Sequence, residues 1–389
     1  MLGVRLLPWD YGIRNLFRRP SRSALTLLGL TLVVLLVFVV AGFVRGLESS
    51  LDLSGDPRVA LVHSLGASEN IENSSIAGRT PSVLAASLSG VQRRYGTACA
   101  SPELYLGTRI ATGDDSESAL GIVRGVTPAA ALVRWRVQIV EGRWPGPGEV
   151  MVGRLAATKL GRSAEALTIG RTVRFEGRDW TISGSFAAAG STLESELWCP
   201  LDDLQRAMKR QDLSLVAVTL GPGAEFAALD EFCKERLDLE LAVTRESDYY
   251  ASLRRHYAEV RVLAWTVMVL VAGAGVFVGL NTMFGAVAGR VRELGTLQVV
   301  GFLRRAIMLS LVQESVLLAA AATLIAAAIA LPLVNGMAVR FTMGAFALRI
   351  DALALLVGCA VGLGLGFLGA IPPAVRALRL EIVESLKAF

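Results

Sequence analysis

Four long apolar runs constrain this chain more than any other feature: Ala24–Val44, Val262–Val287, Ala306–Leu331 and Ala352–Ile371. At about 1.5 Å of rise per residue, each can cross a hydrocarbon layer of roughly 30 Å as an α-helix. Between the first and second runs lie roughly 215 residues without a comparable stretch, enough for an independent core. Of the 389 residues, 53% are hydrophobic and 19% charged, with a mean hydropathy of +0.52. That is too apolar for an ordinary water-soluble chain and too charged for one lying wholly in lipid. The expected fold class is membrane α-helical, four helices, with a large α+β domain inserted between the first and the second.

Arginine placement sets the orientation. The first segment carries Arg5, Arg14, Arg18, Arg19 and Arg22 against Asp10, and the last carries Arg376, Arg379 and Lys387 against Glu381 and Glu384. The loop between the second and third runs has four arginines and one glutamate, whereas only Arg340 and Arg349 follow the third run. Basic residues stay on the cytoplasmic side, so both termini and this loop are expected there, with the large insert outside. The net charge of +5 follows from this bias and implies no nucleic-acid partner. The first run spans about 21 residues with no Ala-x-Ala site after it, which fits an uncleaved anchor better than a signal peptide.

The boundaries follow. Residues 1–23 predict an amphipathic interfacial helix, with Leu6, Trp9, Ile13, Leu16 and Phe17 on one face. Residues 24–45 are the first span, continuing as a stalk to about 54, and 55–245 form the outer domain. Residues 246–261 predict a second stalk helix running unbroken into the span 262–287. The loop 288–305 is cytoplasmic, 306–333 the third span, 334–351 an outer loop, 352–371 the fourth span and 372–389 a cytoplasmic tail. Within the outer domain, β-rich runs at Val59–His63, Val137–Val140, Glu149–Val152, Thr172–Phe175, Trp180–Phe186, Leu213–Leu220 and Leu239–Thr244 alternate with helical patterns near Pro81–Tyr95, Leu155–Leu160, Asp202–Arg210 and Ala224–Leu237. Of Cys99, Cys199, Cys233 and Cys359, the last lies in a span; whether Cys199 and Cys233 pair is left open.

The loop Arg290–Arg305 draws the functional reading. Val291, Leu294, Leu297 and Val300 fall three apart, giving a short helix an apolar stripe between charged ends. Such a helix can rest on lipid headgroups or receive a soluble partner. The pattern Arg-x-Arg-Glu-Leu-Gly-Thr-Leu-x-x-x-Gly-Phe-x-Arg-Arg, with Glu314 nine residues on, resembles the cytoplasmic loop of type VII ABC permeases of the MacB/FtsX/LolC-LolE superfamily. So does Arg18-Arg19-Pro20 before the first span. In the outer domain, Glu141-Gly142-Arg143-Trp144-Pro145, Gly148–Gly153 and Leu167–Val173 leading to Trp180–Phe186 resemble the MacB-like periplasmic core domain; Arg171 stands where an acidic residue is more usual.

The resemblance implies an ATPase-coupling helix made of Arg290, Arg292, Glu293, Leu294, Gly295, Thr296, Leu297, Val300, Gly301 and Phe302, supported by Arg304, Arg305 and Glu314. Arg304 and Arg305 are the expected partners of Glu314, since a charge inside a span needs one. Gly275-x-x-x-Gly279 and Gly285 are small-residue faces expected to pack against a second permease subunit. The partners implied are a dimer of a cytoplasmic ABC ATPase, a second permease subunit (the same or a different chain) and the bilayer, with a periplasmic adaptor or lipoprotein-type substrate left open. The location implied is the bacterial inner membrane. The function implied is mechanical transmission of ATPase motion to the outer domain for efflux or extraction of a hydrophobic or lipid-linked substrate; a scaffold controlling cell-wall hydrolases, as in the FtsX branch, is the alternative.

The sequence lacks Gly-x-x-x-x-Gly-Lys-Ser/Thr, so no phosphate-cradling loop is present and ATP and Mg²⁺ are expected on the partner, with no cofactor on this chain. His63 and His256 are the only histidines and stand far apart, which argues against a zinc site or a serine–histidine triad. Asp114-Asp115 reads as a solvated turn.

Overall fold

The computed structural model describes residues 16, 18, 20–88, 90–113, 118–223, 225–342 and 344–379. Most of the expected interfacial helix, Asp114-Asp115 and the last ten residues lie outside these. The described residues form two compact units. One takes those of Met1–Arg45, Glu259–Met337 and Leu348–Phe389, and the other those of Gly46–Ala258 and Ala338–Ala347.

Among the described residues, four helices are long and apolar enough to cross a bilayer: α1 (Pro20–Ser54), then, after α2 (Glu246–His256), α3 (Ala258–Ala288), and, after α4 (Val291–Val299), α5 (Arg304–Leu333) and α6 (Ala352–Arg379). Glycine decides how closely they pack. On α6, Gly358 faces the ring of Phe38, Gly362 faces Thr323, and Gly366 lies against Ala319 and the Ser315 carbonyl, so no side chain fits at these positions. Ser315 Oγ donates to the Gly366 carbonyl at 2.8 Å, a bond that close backbone approach makes reachable. The helix carries Pro372 and Pro373 and still continues to Arg379, so residues 372–379 extend the fourth helix rather than begin a tail.

The expected unbroken helix over 246–261 is corrected: α2 ends at His256 and α3 starts at Ala258. Tyr257 between them has φ −83° and ψ 7°, off the helical values. Its ring packs edge-on against Phe341, and its hydroxyl lies 3.2 Å from Thr342 Oγ1, contacts that hold the residue out of the helical run.

The second unit is built on one mixed sheet. Its strands are β1 (Val59–Ser64), β4 (Ala100–Thr112), β5 (Ser118–Val126), β6 (Gln138–Gly142), β7 (Glu149–Gly153), β8 (Thr172–Phe175), β9 (Arg178–Ala187), β10 (Leu197–Pro200), β11 (Leu215–Thr219) and β12 (Leu241–Arg245). A small ladder, β2 (Arg93–Arg94) with β3 (Thr97–Ala98), precedes β4. The sheet order is β12-β1-β11-β4-β5-β10-β7-β9-β6, with β8 against β4 and β9. Among the described residues pairing is parallel only between β10 and β5 and between β7 and β9.

Alternating side chains bury both faces of the sheet. Ala60, Val62, Val150, Val152, Val216 and Val218 enter the larger core, whereas Val59, Leu61, Met151, Leu215 and Ala217 enter clusters on the other side. Every β-run expected from sequence forms a strand. The longest hairpin, β4–β5, and the short β10 were not anticipated. A further hairpin, β13 (Ala338–Phe341) with β14 (Gly344–Ala347), lies within residues expected to be a plain loop, and it belongs to this second unit. Lys159 Nζ donates to its Thr342 carbonyl. Cys199 and Cys233, whose pairing the sequence left open, are both free buried thiols.

Charge is buried in this unit. Arg124 on β5 donates from Nε to Glu196 Oε2 at 2.7 Å and from its two Nη atoms to Glu196 Oε1 and Glu103 Oε2. Its guanidinium lies 4.0 Å from the ring centre of Tyr105, its cross-strand partner on β4. Arg134 adds bonds to Glu103 at 3.1 and 3.2 Å and pairs with Glu246, whose Oε2 accepts the Asp56 N–H at 3.0 Å. Burial alone would raise the pKa of Glu103; the guanidiniums of Arg134 and Arg124 outweigh it and hold the carboxylate below its ordinary range.

Candidate functional site

The segment Arg290–Arg305 follows the turn after α3 and consists of the nine-residue helix α4, a short connection and the first residues of α5. Arg290 sits at the N-cap of α4, and its guanidinium forms a two-pronged pair with Glu314 of α5 at 2.9 and 3.0 Å, both side chains nearly buried. The expected pairing of Glu314 with Arg304 or Arg305 is thereby corrected: those two arginines begin α5 with exposed side chains, and the turn after α3 brings Arg290 to the glutamate instead. Two parallel charge-assisted bonds give the pair strength and a fixed direction.

The C-terminal end of α4 closes as a Schellman cap. The Phe302 N–H donates to the Leu297 carbonyl and the Gly301 N–H to the Gln298 carbonyl, each at 3.1 Å. Gly301 takes φ +99°, which a side chain would strain. Leu297 and Phe302, the two positions that normally touch in this cap, both pack against a cluster holding Met283, Leu294, Ile307 and Leu311.

The expected stripe therefore divides. Leu294 and Gly295 are buried and Leu297 packs inward, while Val300 is 70% exposed. Beside Val300 stand Val299, 62% exposed, and Leu303, also exposed, flanked by Arg292, Glu293, Thr296 and Arg304. Sequence reasoning missed Val299 because a count in threes from Val291 skips it, and Leu303 because it lies past the end of the short helix, at the N-cap of α5. The doublet Val299-Val300 just before the helix-ending Gly301 was the available signal. Glu293 also approaches Arg18 at 3.7 Å, an exposed pair of little energetic weight.

The three glycines expected to meet a second subunit are differently placed. A Cβ on Gly275 would strike Val33 and Leu365, and one on Gly279 would rest against Gly369, so α1 and α6 of the same chain already occupy this face. Gly285 is exposed, and its carbonyl accepts a 2.8 Å bond from Arg22 Nη1. The apolar surface that α3 leaves uncovered includes Val269, Leu270 and Phe277 instead.

With this geometry in place, the sequence matches two family descriptions: a MacB-like periplasmic core domain over residues 23–231, and an FtsX-like permease C-terminal region over residues 265–382. The chain belongs to the MacB/FtsX family of ABC permeases. The second match contains the whole of Arg290–Arg305. Members of this family are permease components whose ATPase activity lies in a separate subunit, so an ABC ATPase partner, and often dimerisation, goes with membership. The four apolar helices and periplasmic-domain relatives fit a multi-pass inner-membrane protein.

Among solved structures, the periplasmic region of MacB from Actinobacillus actinomycetemcomitans is 10% identical, covering 52% of this chain and 94% of that one, with a TM-score of 0.40. The extracellular domain of the ABC-type transporter YknZ from Gram-positive bacteria is 14% identical over 48% of this chain and 99% of that one, TM-score 0.37. A domain of a permease protein from Porphyromonas gingivalis is 17% identical over 49% and 90%, TM-score 0.34. No curated protein matches.

Proposed function

We propose that this permease transmits the motion of a cytoplasmic ABC ATPase to its outer domain, and that the exposed ledge Val299-Val300-Leu303 is where the ATPase docks. Both termini and this ledge face the cytoplasm, and the outer domain acts on a hydrophobic or lipid-linked substrate, such as a lipoprotein, for efflux or extraction. A second permease subunit completes the assembly, and α3 offers it Val269, Leu270 and Phe277.

The observation that carries the reading is the division of the stripe. Leu294, Leu297 and Phe302 hold α4 to α3 and α5, while three large aliphatic residues beside them remain exposed within a charged rim. An aliphatic centre with a polar rim is the usual anatomy of a protein interface. The fixed Arg290–Glu314 pair and the Schellman cap stiffen both ends of α4, so a push on the ledge moves α3 and α5 instead of unwinding the helix. On the other side, α1 runs for 35 residues, about 52 Å, well beyond the bilayer core and suited to act as a lever.

Val299→Asp with Val300→Asp tests the docking. The ATPase should no longer co-purify, while the permease still inserts and keeps its thermal midpoint; undiminished co-purification would remove the ledge from the interface. Leu297→Asp is the poorer probe, because it places a carboxylate inside the fold. For orientation, a thiol at Thr296→Cys should react only after permeabilisation, and one at Arg178→Cys in intact cells.

A further inference from the structure

The second unit contains a cavity of about 260 Å³ that docking does not use. Its walls come from four places: Leu47 and Leu51 on α1, Ile122 on β5, Leu253 on α2 and Phe346 on β14. Tyr105, Tyr249 and Tyr250 add phenol rings, and the last two stack edge to face with centres 5.2 Å apart. The space accepts an organic body of roughly ten non-hydrogen atoms, smaller than an acyl chain with its headgroup.

The polar groups in this lining point to the charge of the occupant. Arg124 is the one cation there, and Glu196 and Glu103 already occupy its guanidinium. Glu69 and Glu72 enter from the short turn after β1, and Glu72 has no hydrogen bond or ion pair among the described residues. Burial, followed by the carboxylate of Glu196, pushes the Glu72 pKa up, against a smaller opposing pull from Arg124. A desolvated carboxylate without a partner is stabilised by an arriving cation.

A second, independent signal is Ser50. It is buried, it lines the cavity, and its Oγ finds no partner among the described residues. The other serine and threonine hydroxyls in the lining are engaged: Ser195 Oγ donates to the Thr192 carbonyl, Thr192 Oγ1 lies 3.0 Å from Ser54 Oγ, and Thr342 Oγ1 lies 3.2 Å from the Tyr257 hydroxyl. A buried hydroxyl left unpaired costs stability until a ligand supplies the bond.

We propose that this cavity is a binding site for a small amphipathic organic ammonium ion, its nitrogen held by Glu72 and Ser50 and its apolar body lodged among Leu47, Leu51, Leu253 and the Tyr249–Tyr250 pair. An anion would face carboxylates that outnumber the free guanidinium groups. A neutral hydrocarbon would leave both Ser50 and Glu72 unsatisfied. The site shares no residue with the docking ledge and is measured on the permease alone, so loss of either reading leaves the other untouched.

The test titrates phenethylammonium, its neutral isostere propylbenzene and its anionic counterpart 3-phenylpropionate into the full chain in detergent, followed by calorimetry. Saturable binding is expected for the ammonium ion alone, with Glu72→Gln weakening it about tenfold and Ser50→Ala a few-fold. Buried Trp180 and Trp198 report by fluorescence that each variant keeps its fold. Comparable binding of propylbenzene or 3-phenylpropionate, affinity unchanged in folded Glu72→Gln, or no saturable binding of the ammonium ion would each overturn the assignment.

Discussion

The two units bury charge to different ends. Among the described residues of the membrane unit one nearly buried pair, Arg290 with Glu314, stands where a turn meets a long helix, and the packing around it is apolar, with glycines where helices approach closely. In the sheet unit, Arg124 and Arg134 share Glu103, Glu196 and Glu246 beneath the strands, and apolar side chains close in from both faces. The first arrangement fixes one joint between two helices. The second ties together strands and a helix that are far apart in sequence, so losing one member leaves several partners uncompensated.

Arg124→Met should show the contrast most strongly. It leaves Glu103 and Glu196 buried without their shared guanidinium and should cost about 3–5 kcal/mol, read by chemical denaturation with tryptophan fluorescence. A loss below about 1 kcal/mol would mean that water or neighbouring groups satisfy the carboxylates.

On the membrane side, Gly366→Val should be the most damaging change. It forces branched carbons against Ala319 and the Ser315 backbone at a cost of about 1–3 kcal/mol, seen as a lower thermal midpoint in detergent. If it is tolerated, the close approach of α5 and α6 does not hold the unit together.

Acid should separate the units further. Glu103 and Asp212 have folded pKa values below their unfolded ones, with the Arg210 hydrogen bond holding Asp212 at about 2. Their contribution is present above the unfolded carboxylate range, near pH 4, and is lost as pH falls through the folded values. Glu72, raised by burial, drifts the opposite way and offsets part of this. The tryptophan-reported midpoint should fall between about pH 5 and about pH 2, and a flat profile would show that the network carries no proton linkage.

The smallest expected effect is Gly301→Ala, which strains the cap at φ +99° by about 1–2 kcal/mol. Faster hydrogen exchange at Gly301 and Phe302, whose amides close the cap, would register it without a change in the sheet unit.

How much could be read beforehand follows the same divide. The spans were legible because crossing a bilayer needs a long apolar run, and each of the four is a helix here. The β4–β5 hairpin was not. Pro102, Glu103 and Gly107 on one strand, and Gly121, Arg124 and Gly125 on the other, read as breakers and solvated charge. Arg124 is buried because Glu196 reaches it from over seventy residues away, and Glu103 because Arg124 and Arg134 reach it from the next strand and beyond, which no local window can register. At Arg290–Arg305, spacing located the helix but could not tell inward from outward, and it assigned Glu314 to arginines nearby in sequence rather than to Arg290 across the turn.

The thiols of the sheet unit carry a consequence of their own. Cys99, Cys199 and Cys233 are each buried as free sulfhydryls, and burial raises the pKa of all three, that of Cys233 to about 12. Sulfur held protonated and away from solvent neither attacks nor is readily attacked. This part of the molecule can therefore mature without an oxidant, and reducing agents should leave it as firm as they found it.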